Sequence, residues 1–174
     1  RRLRVPLHDT APMTFETFIV SREEVSNPLL PELIKAAKTL TEHDLTRGVV
    51  SARYGNRVVL STGPLEDLDI AHFVELVDFD PSRHVAMIIG PIAPPLSTPL
   101  HWLLYRRGDV NAAVQLHRSF EAVPTADCSP DGGVEELLEA LQLLKDTPCI
   151  NLGDSDCIAI GGSIQAAMER IPCS

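Results

Sequence analysis

The sequence predicts a single α/β domain, either of the α+β type or a three-layer α/β/α sandwich. The chain has 174 residues, enough for one domain with a sizeable core. Apolar residues make up 44% and charged residues 22%, which is typical of a globular protein and excludes a disordered one. Helix-like and strand-like segments follow one another without the strict βαβ alternation of a parallel sheet.

Helices are predicted where apolar residues recur every three or four positions. Pro31 fits the first turn of the first of them. In the second, Thr98 is a candidate cap, Pro99 takes the first helical position and Gly108 ends the helix. The predicted helices cover residues 29–45, 100–107, 134–145 and 164–170.

Strands are predicted where short β-prone runs alternate or are bounded by turn residues. Gly55-Asn56 separates the first two runs as a tight hairpin turn. Residues 15–20 are a possible edge strand in an N-terminal extension, residues 1–28, that precedes the main domain, residues 29–174. Residues 119–133 are predicted to be a loop. The main predicted strands cover residues 49–54, 57–61, 73–80, 85–89, 110–117, 149–152 and 157–160.

Charge and cysteine usage limit the possible partners and location. There are 15 Lys and Arg against 24 Asp and Glu, a net charge of −9, which argues against a nucleic-acid partner. No stretch approaches 18 consecutive apolar residues, so we expect no membrane span. The basic start lacks the apolar run of a secretory signal. The four cysteines form no Cys-x-x-Cys pair, and we expect a reduced, cytoplasmic protein.

Residues 97–118 read STPLHWLLYRRGDVNAAVQLHR. They resemble a segment of the class II aldolase/adducin family. In that family Glu-x-x-x-His opens a helix, a Tyr and a Pro/Gly-Asp-Val turn follow, and a strand ends in His-x-His. His101, Tyr105 and the turn at residues 108–110 agree with this pattern.

Partial matches in the same order extend the resemblance to about residues 29–171. Residues 48–53, GVVSAR, resemble the family's Gly-Asn-Leu-Ser-x-Arg, and residues 61–63, STG, resemble its Thr/Pro-Ser-Gly turn. Residues 151–153, NLG, stand where the family has Asn-His-Gly. The resemblance implies an α/β/α sandwich around a mostly antiparallel sheet. It also implies a homo-oligomer, tetrameric in the enzymes, with the cleft between subunits.

The family's metal ligands are largely missing. Its enzymes bind zinc through both histidines of His-x-His and the histidine of Asn-His-Gly, and the helix-opening Glu transfers the proton. The matching ligand positions here hold Gln115, His117 and Leu152, and Ser97 replaces the Glu. The resemblance therefore implies that no metal binds here and that zinc-dependent aldol cleavage is lost, with zinc as the alternative cofactor. His117 and Ser97 are the candidate catalytic positions.

The phosphate-binding turns of the family are partly retained. Val49 replaces the family's Asn, and Pro95-Leu96 replaces a Ser-Ser pair, which removes an amide donor and a hydroxyl. Gln115 shares a strand face with His117, so it either hydrogen-bonds a small molecule or satisfies a neighbouring backbone group. The candidate substrate-binding residues are Gly48, Ser51, Ser61, Thr62, Gly63, Gln115 and Asn151.

Several polar residues have structural interpretations beside functional ones. His117 is either an acid/base remnant or a histidine hydrogen-bonded at a cleft edge, the second being favoured. His101 is interpreted as structural. Asp154 and Asp156 could bind a hard cation, but a solvated turn is the favoured interpretation.

Two hypotheses for function follow from the resemblance and its departures. The first is a zinc-free binding, regulatory or assembly module, as the adducin head domain suggests. The second is an enzyme of the lyase, epimerase or dehydratase type that acts on a small, sugar-phosphate-like carbonyl compound by an altered mechanism. In either case the expected partners are further copies of the chain and a small phosphorylated or carbonyl ligand.

Overall fold

The computed structural model describes residues 14–172, which form one mixed nine-stranded sheet with helices on both faces. The strand order across the sheet is β1-β5-β4-β3-β2-β6-β9-β8-β7. The strands are β1 (Glu16–Ser21), β2 (Gly48–Tyr54), β3 (Arg57–Ser61), β4 (Phe73–Asp80), β5 (Val85–Ile89), β6 (Ala112–Leu116), β7 (Thr125–Ala126), β8 (Cys149–Leu152) and β9 (Asp156–Gly161). The helices are α1 (Leu30–Glu42), α2 (Thr98–Leu104), α3 (Val134–Leu143) and α4 (Ile164–Glu169).

Neighbouring strands are antiparallel except at the two edges of the sheet. There β1 pairs with β5 and β7 pairs with β8 in parallel. The helices α2 and α3 pack on one face, and α1 and α4 pack on the other. The predicted three-layer α/β/α sandwich around a mostly antiparallel sheet is therefore confirmed.

Strand alternation divides the core into two apolar clusters. In β2, Val49 belongs to the cluster under α2, whereas Val50 and Ala52 belong to the cluster under α1. In β6, Ala113 faces α2, and Val114 faces α1. We call these two sides of the sheet the α2 face and the α1 face.

The structure corrects several local predictions. The first helix ends at Glu42 rather than residue 45, because Asp44 takes a positive φ of 60°. Ser97 rather than Thr98 holds the cap position of α2, and the Thr98 hydroxyl donates to the carbonyl of Pro95. The predicted loop at residues 119–133 contains the short strand β7.

Part of the predicted N-terminal extension belongs to the sheet. Residues 1–13 lie outside the described part of the chain, as does Cys173, whereas Glu16–Ser21 forms the edge strand β1. The longest described helix, α1, has 13 residues, and no helix within residues 14–172 could cross a membrane.

Candidate functional site

The three positions that hold zinc in the family's enzymes lie together at one end of the sheet. Gln115 faces α2 because it is two residues from Ala113, and His117 follows directly after β6. Leu152 ends β8 on the same face and pairs across the strands with Asp156, the first residue of β9. The fold therefore places a carboxylate next to the positions that match the family's zinc ligands.

A continuous chain of hydrogen bonds crosses the α2 face at this point. It starts on α2, crosses β2, β6 and β9, and ends at the half-exposed imidazole that follows β6. We call it the buried polar chain, and its members are Tyr105, Ser51, His101, Gln115, Asp156 and His117.

The first half of the buried polar chain joins α2 to β2. The Ser51 hydroxyl lies 2.8 Å from the Tyr105 hydroxyl and 2.6 Å from Nδ1 of His101. Ser51 and His101 are fully buried, and Tyr105 is nearly so. These side chains are shielded from water, so their polar atoms need partners within the protein, and the two hydrogen bonds of Ser51 hold the helix against the sheet.

The second half joins His101 to the carboxylate of Asp156. His101 Nε2 lies 3.0 Å from Oε1 of Gln115, and Gln115 Nε2 lies 3.0 Å from Oδ2 of Asp156. The other carboxylate oxygen, Oδ1, lies 3.1 Å from Nδ1 of His117. Both oxygens of Asp156 thus have a partner, although the carboxylate is buried.

One assignment of protons satisfies every member of the buried polar chain. Ionised Asp156 can only accept, so Gln115 donates from its amide nitrogen and presents its carbonyl oxygen to His101. His101 then donates from Nε2, and its Nδ1 accepts the hydroxyl proton of Ser51. Tyr105 in turn donates to Ser51. All donors therefore point towards Asp156. The same carboxylate also orients the imidazole of His117.

Burial keeps His101 and Tyr105, the members of the buried polar chain that come from α2 and its C-terminal cap, neutral. Desolvation lowers the pKa of His101 from 6.5 to about 4, and the hydrogen bond to Gln115 opposes this shift. Burial also raises the pKa of the Tyr105 hydroxyl, against the hydrogen bond with Ser51 and the nearby charge of Arg53. Both groups are therefore uncharged at neutral pH, as the proton assignment requires.

The low pKa of His101 predicts acid sensitivity. The pKa of His101 is 6.5 in the unfolded protein and about 4 in the folded protein. The folded state therefore keeps its full stability above pH 6.5 and loses stability as the pH drops towards 4. The free energy of unfolding measured in urea should be lower at pH 4.5 than at pH 7.5, and this group should account for about 2–3 kcal/mol of the difference. In His101→Gln the difference should shrink by that amount. An equal pH dependence in the variant and the parent would contradict the prediction.

The residues at the three positions that match the family's zinc ligands do not fit zinc. Tetrahedral zinc needs three protein ligands that offer a lone pair at converging positions. Both polar atoms of Gln115 are engaged in the buried polar chain, and Leu152 is fully buried and offers no donor. Within residues 14–172, no group of three or more His, Cys, Asp or Glu side chains could hold a metal ion.

The interpretation of Asp156 as part of a solvated turn is wrong. Asp156 is 6% exposed and central to the buried polar chain, whereas Asp154 is exposed. The missed signal was the strand boundary, since β9 begins at Asp156 and not at Cys157. Because β9 begins at Asp156, strand alternation places the Asp156 carboxylate on the same face as Ile158. Ile158 in turn pairs with Gln115.

The remaining candidate residues do not converge on one pocket. Ser61 lies on the α1 face, opposite Ser51, and its hydroxyl accepts the amide proton of Val50. Asn151 also lies on the α1 face, where its side chain bonds both backbone groups of Phe120. Their role in substrate binding stays a prediction.

The other candidate positions lie at the same end of the sheet or under α2. Thr62 donates its amide proton to the carbonyl of His72, and Gly63 has a φ of 88°. Gly48 packs directly against β6. Ser97 is buried, and its carbonyl accepts the amide proton of His101. The structure thus brings Ser97 close to the buried polar chain through the backbone of α2.

Arg53 has a structural role beside the site that was not predicted from the sequence. Its guanidinium donates to the carbonyls of Tyr105, Arg107, Gly108 and Val110, which follow α2. Of these, only the Tyr105 carbonyl lies at the end of α2, so the guanidinium mainly fixes the turn that leads from α2 to β6. The Arg of the GVVSAR motif was the available signal.

Solved structures with a similar fold are known. An L-fuculose 1-phosphate aldolase has a TM-score of 0.70 and 18% identity, over 84% of this chain and 81% of that chain. A sugar-phosphate aldolase from Thermotoga maritima gives 0.68 and 13%, over 81% and 88%. The N-terminal class II aldolase domain of a protein from Thermoplasma acidophilum gives 0.60 and 14%, over 87% and 92%. No protein-family model and no curated protein sequence matches this chain.

The sheet order, the two helical layers and these likenesses define the class of α/β/α sandwiches with a mostly antiparallel sheet. Within that class, the chain has the class II aldolase fold. The fold does not decide the chemistry, which depends on the residues at the site.

Proposed function

We propose that this chain has lost the zinc-dependent aldol chemistry associated with its fold and acts as a binding, regulatory or assembly module. The observation that supports the proposal most strongly is the position of Gln115. Where the family's enzymes have the first zinc ligand, the amide of Gln115 bridges His101 and Asp156 inside a buried hydrogen-bond network.

The chemistry of aldol cleavage explains why this change matters. Cleavage needs an electrophile that stabilises the enediolate, and in the family that electrophile is the zinc ion. It also needs a group that transfers the proton, for which the family uses the Glu that Ser97 replaces. With both groups replaced, the described residues supply neither the electrophile nor the carboxylate at those positions.

An assay with L-fuculose 1-phosphate, the compound in the name of one similar structure, tests the loss of activity. With one equivalent of zinc added, we expect no cleavage above the zinc-only blank, while the aldolase of known structure serves as the positive control. Cleavage that disappears in His117→Ala would contradict the proposal, since it would require a functioning metal site around His117.

The binding and assembly part of the proposal concerns the loop before α2. In the loop before α2, Leu96 is 68% exposed and Ile92 is 36% exposed, which favours a surface that contacts another chain. We therefore propose a homo-oligomer, and from the family resemblance we also propose a cytoplasmic location and a small phosphorylated or carbonyl ligand. Light scattering on the purified chain should give a multiple of the monomer mass, and a monomer at micromolar concentration would remove the assembly role.

One observation favours an enzyme as a second candidate function. Asp156 holds His117 through Nδ1, and the His117 side chain is 48% exposed, so Nε2 is left to face a ligand. A carboxylate that orients an imidazole in this way is the arrangement of a general base. Such a base could abstract a proton next to a carbonyl without cleaving a carbon-carbon bond, as an epimerase or dehydratase requires.

Proton exchange separates this second candidate from the first. L-fuculose 1-phosphate in D₂O would exchange the protons next to its carbonyl if His117 acts as a base, and NMR detects that exchange without any cleavage. The exchange should then vanish in His117→Gln and fall in Asp156→Asn. No exchange beyond the protein-free rate would favour the non-catalytic module.

A further inference from the structure

A cleft lies at the end of β2 that is farther from Gln115 and His117. It has a volume of about 300 Å³ and opens between α2, the hairpin turn after β2 and the middle of β4. We call it the Trp102 cleft, and the residues that matter for its chemistry are Arg53, Asn56, Val77, Asp78, Trp102 and Arg106. Its size is near the lower limit of small-molecule sites.

A β-bulge shapes the wall of this cleft. Leu76 pairs with Ile88 and Asp78 pairs with Met87, so Val77 is an extra residue in β4. Bulges bend a strand and redirect its side chains, and they are common beside functional sites. Here the bulge turns the exposed Asp78 and the half-buried Val77 towards the cleft.

Arg106 is the cation that this cleft presents to solvent. Its guanidinium lies 4.7 Å from the centre of the Trp102 ring, and Trp102 itself packs on Phe79 with ring centres 5.4 Å apart. The stack positions the guanidinium without using its N–H donors. Among the described residues, the Arg106 side chain forms no hydrogen bond or ion pair, unlike Arg57 and Arg107, which each pair with a carboxylate.

The other polar groups of the cleft set its charge. The guanidinium of Arg53 donates to the carbonyls after α2, so this residue contributes charge and not hydrogen bonds to the cleft. Asn56 lies in the hairpin turn and adds an amide to the lining. Asp78 opposes anions, although its Oδ1 accepts the amide proton of Phe79. Two cations against one carboxylate leave this cleft positive in a chain of net charge −9.

We propose that the Trp102 cleft binds a small anion, whose carboxylate or phosphate group is held by the guanidinium of Arg106 and the amide of Asn56. Arginine suits this role because its planar fork of N–H donors matches two oxygens of a carboxylate or phosphate. The stack on Trp102 has already ordered the side chain, which lowers the entropy cost of binding. This site lies outside the positions that match the family's zinc ligands and is independent of the proposed function.

The protein provides its own reporter for the test, because Trp102 is the only tryptophan in the chain. Fluorescence titrations with inorganic phosphate and, separately, with citrate are compared at constant ionic strength. We expect a saturable change in emission with at least one of them, and the one that binds identifies the preferred group. A change that is linear in both anions, or no change, would overturn the proposal.

Three variants show whether the anion binds at Arg106. Calorimetry does not depend on the Trp102 stack. It should give a Kd for the anion that is at least tenfold higher in Arg106→Gln than in the parent. In Arg83→Gln, at an exposed arginine outside the cleft, the Kd should be unchanged. In Asp78→Asn, which removes the opposing carboxylate, the anion should bind more tightly. Because Arg106 is exposed, its replacement should not affect folding. An equal Kd in Arg106→Gln and the parent would overturn the proposal.

Discussion

Replacing Gln115 by leucine should lower the free energy of unfolding by about 2–6 kcal/mol, since two buried polar groups would each lose a partner at about 1–3 kcal/mol. The two groups are Nε2–H of His101 and Oδ2 of Asp156, both bonded to the Gln115 amide at 3.0 Å. Leucine fills a similar volume, so the loss would come from hydrogen bonding and not from a cavity. A loss of this size would be a large share of the stability of a single domain.

Urea unfolding followed by circular dichroism measures this loss. The matched control is Gln142→Leu, at an exposed glutamine on α3, which should change stability by less than about 0.5 kcal/mol. If Gln115→Leu is as stable as the control, then Gln115 is an open-cleft residue and the buried polar chain is not a structural element.

Replacing Gly48 by alanine should cost at least about 3 kcal/mol, because the added methyl group overlaps backbone and not a flexible side chain. A Cβ at this position would lie 2.0 Å from the carbonyl oxygen of Gln115. The overlap would force β2 away from β6, at the point where Gly48 pairs with Leu116. The same movement would displace Gln115 from the buried polar chain. Gly48 is therefore explained by strand packing, whether or not it also contacts a phosphate.

Gly108→Ala is the matched control, because no atom lies within 4 Å of a Cβ built at that position. Thermal unfolding should show a large drop in Tm for Gly48→Ala and little change for Gly108→Ala. Equal Tm values in both variants would mean that the two strands can separate freely at Gly48. The requirement for glycine would then have to come from ligand binding.

The fold could be predicted from local patterns because most of its strands and helices carry one. Alternation in Phe73–Asp80 and the apolar run of Val85–Ile89 gave both strands with their observed bounds. Helical spacing identified α1 and α3, although both helices end two or three residues earlier than predicted. In contrast, β7 has two residues, too few to show any period, and exists because of its pairing with β8.

The site could be predicted only in part, because its key contacts are long-range. The resemblance located Gln115, His117 and Leu152, which the sheet does bring together. It could not show that Gln115 is bonded on both sides, since this depends on the register of β6 against β9 and on the position of α2. Asp156 was missed for the same reason, because a carboxylate in a turn and one at the start of a buried strand look alike in sequence.

The binding of zinc tests most directly whether hydrogen bonds have replaced the metal site. The chain is purified without chelator, dialysed against excess zinc and then against buffer, and its metal content is measured beside that of His117→Ala. We predict well below one zinc per chain and the same value in both proteins. One zinc per chain in the parent that is lost in His117→Ala would contradict the account, because it would mean that ligands beyond Gln115 and Leu152 complete a metal site.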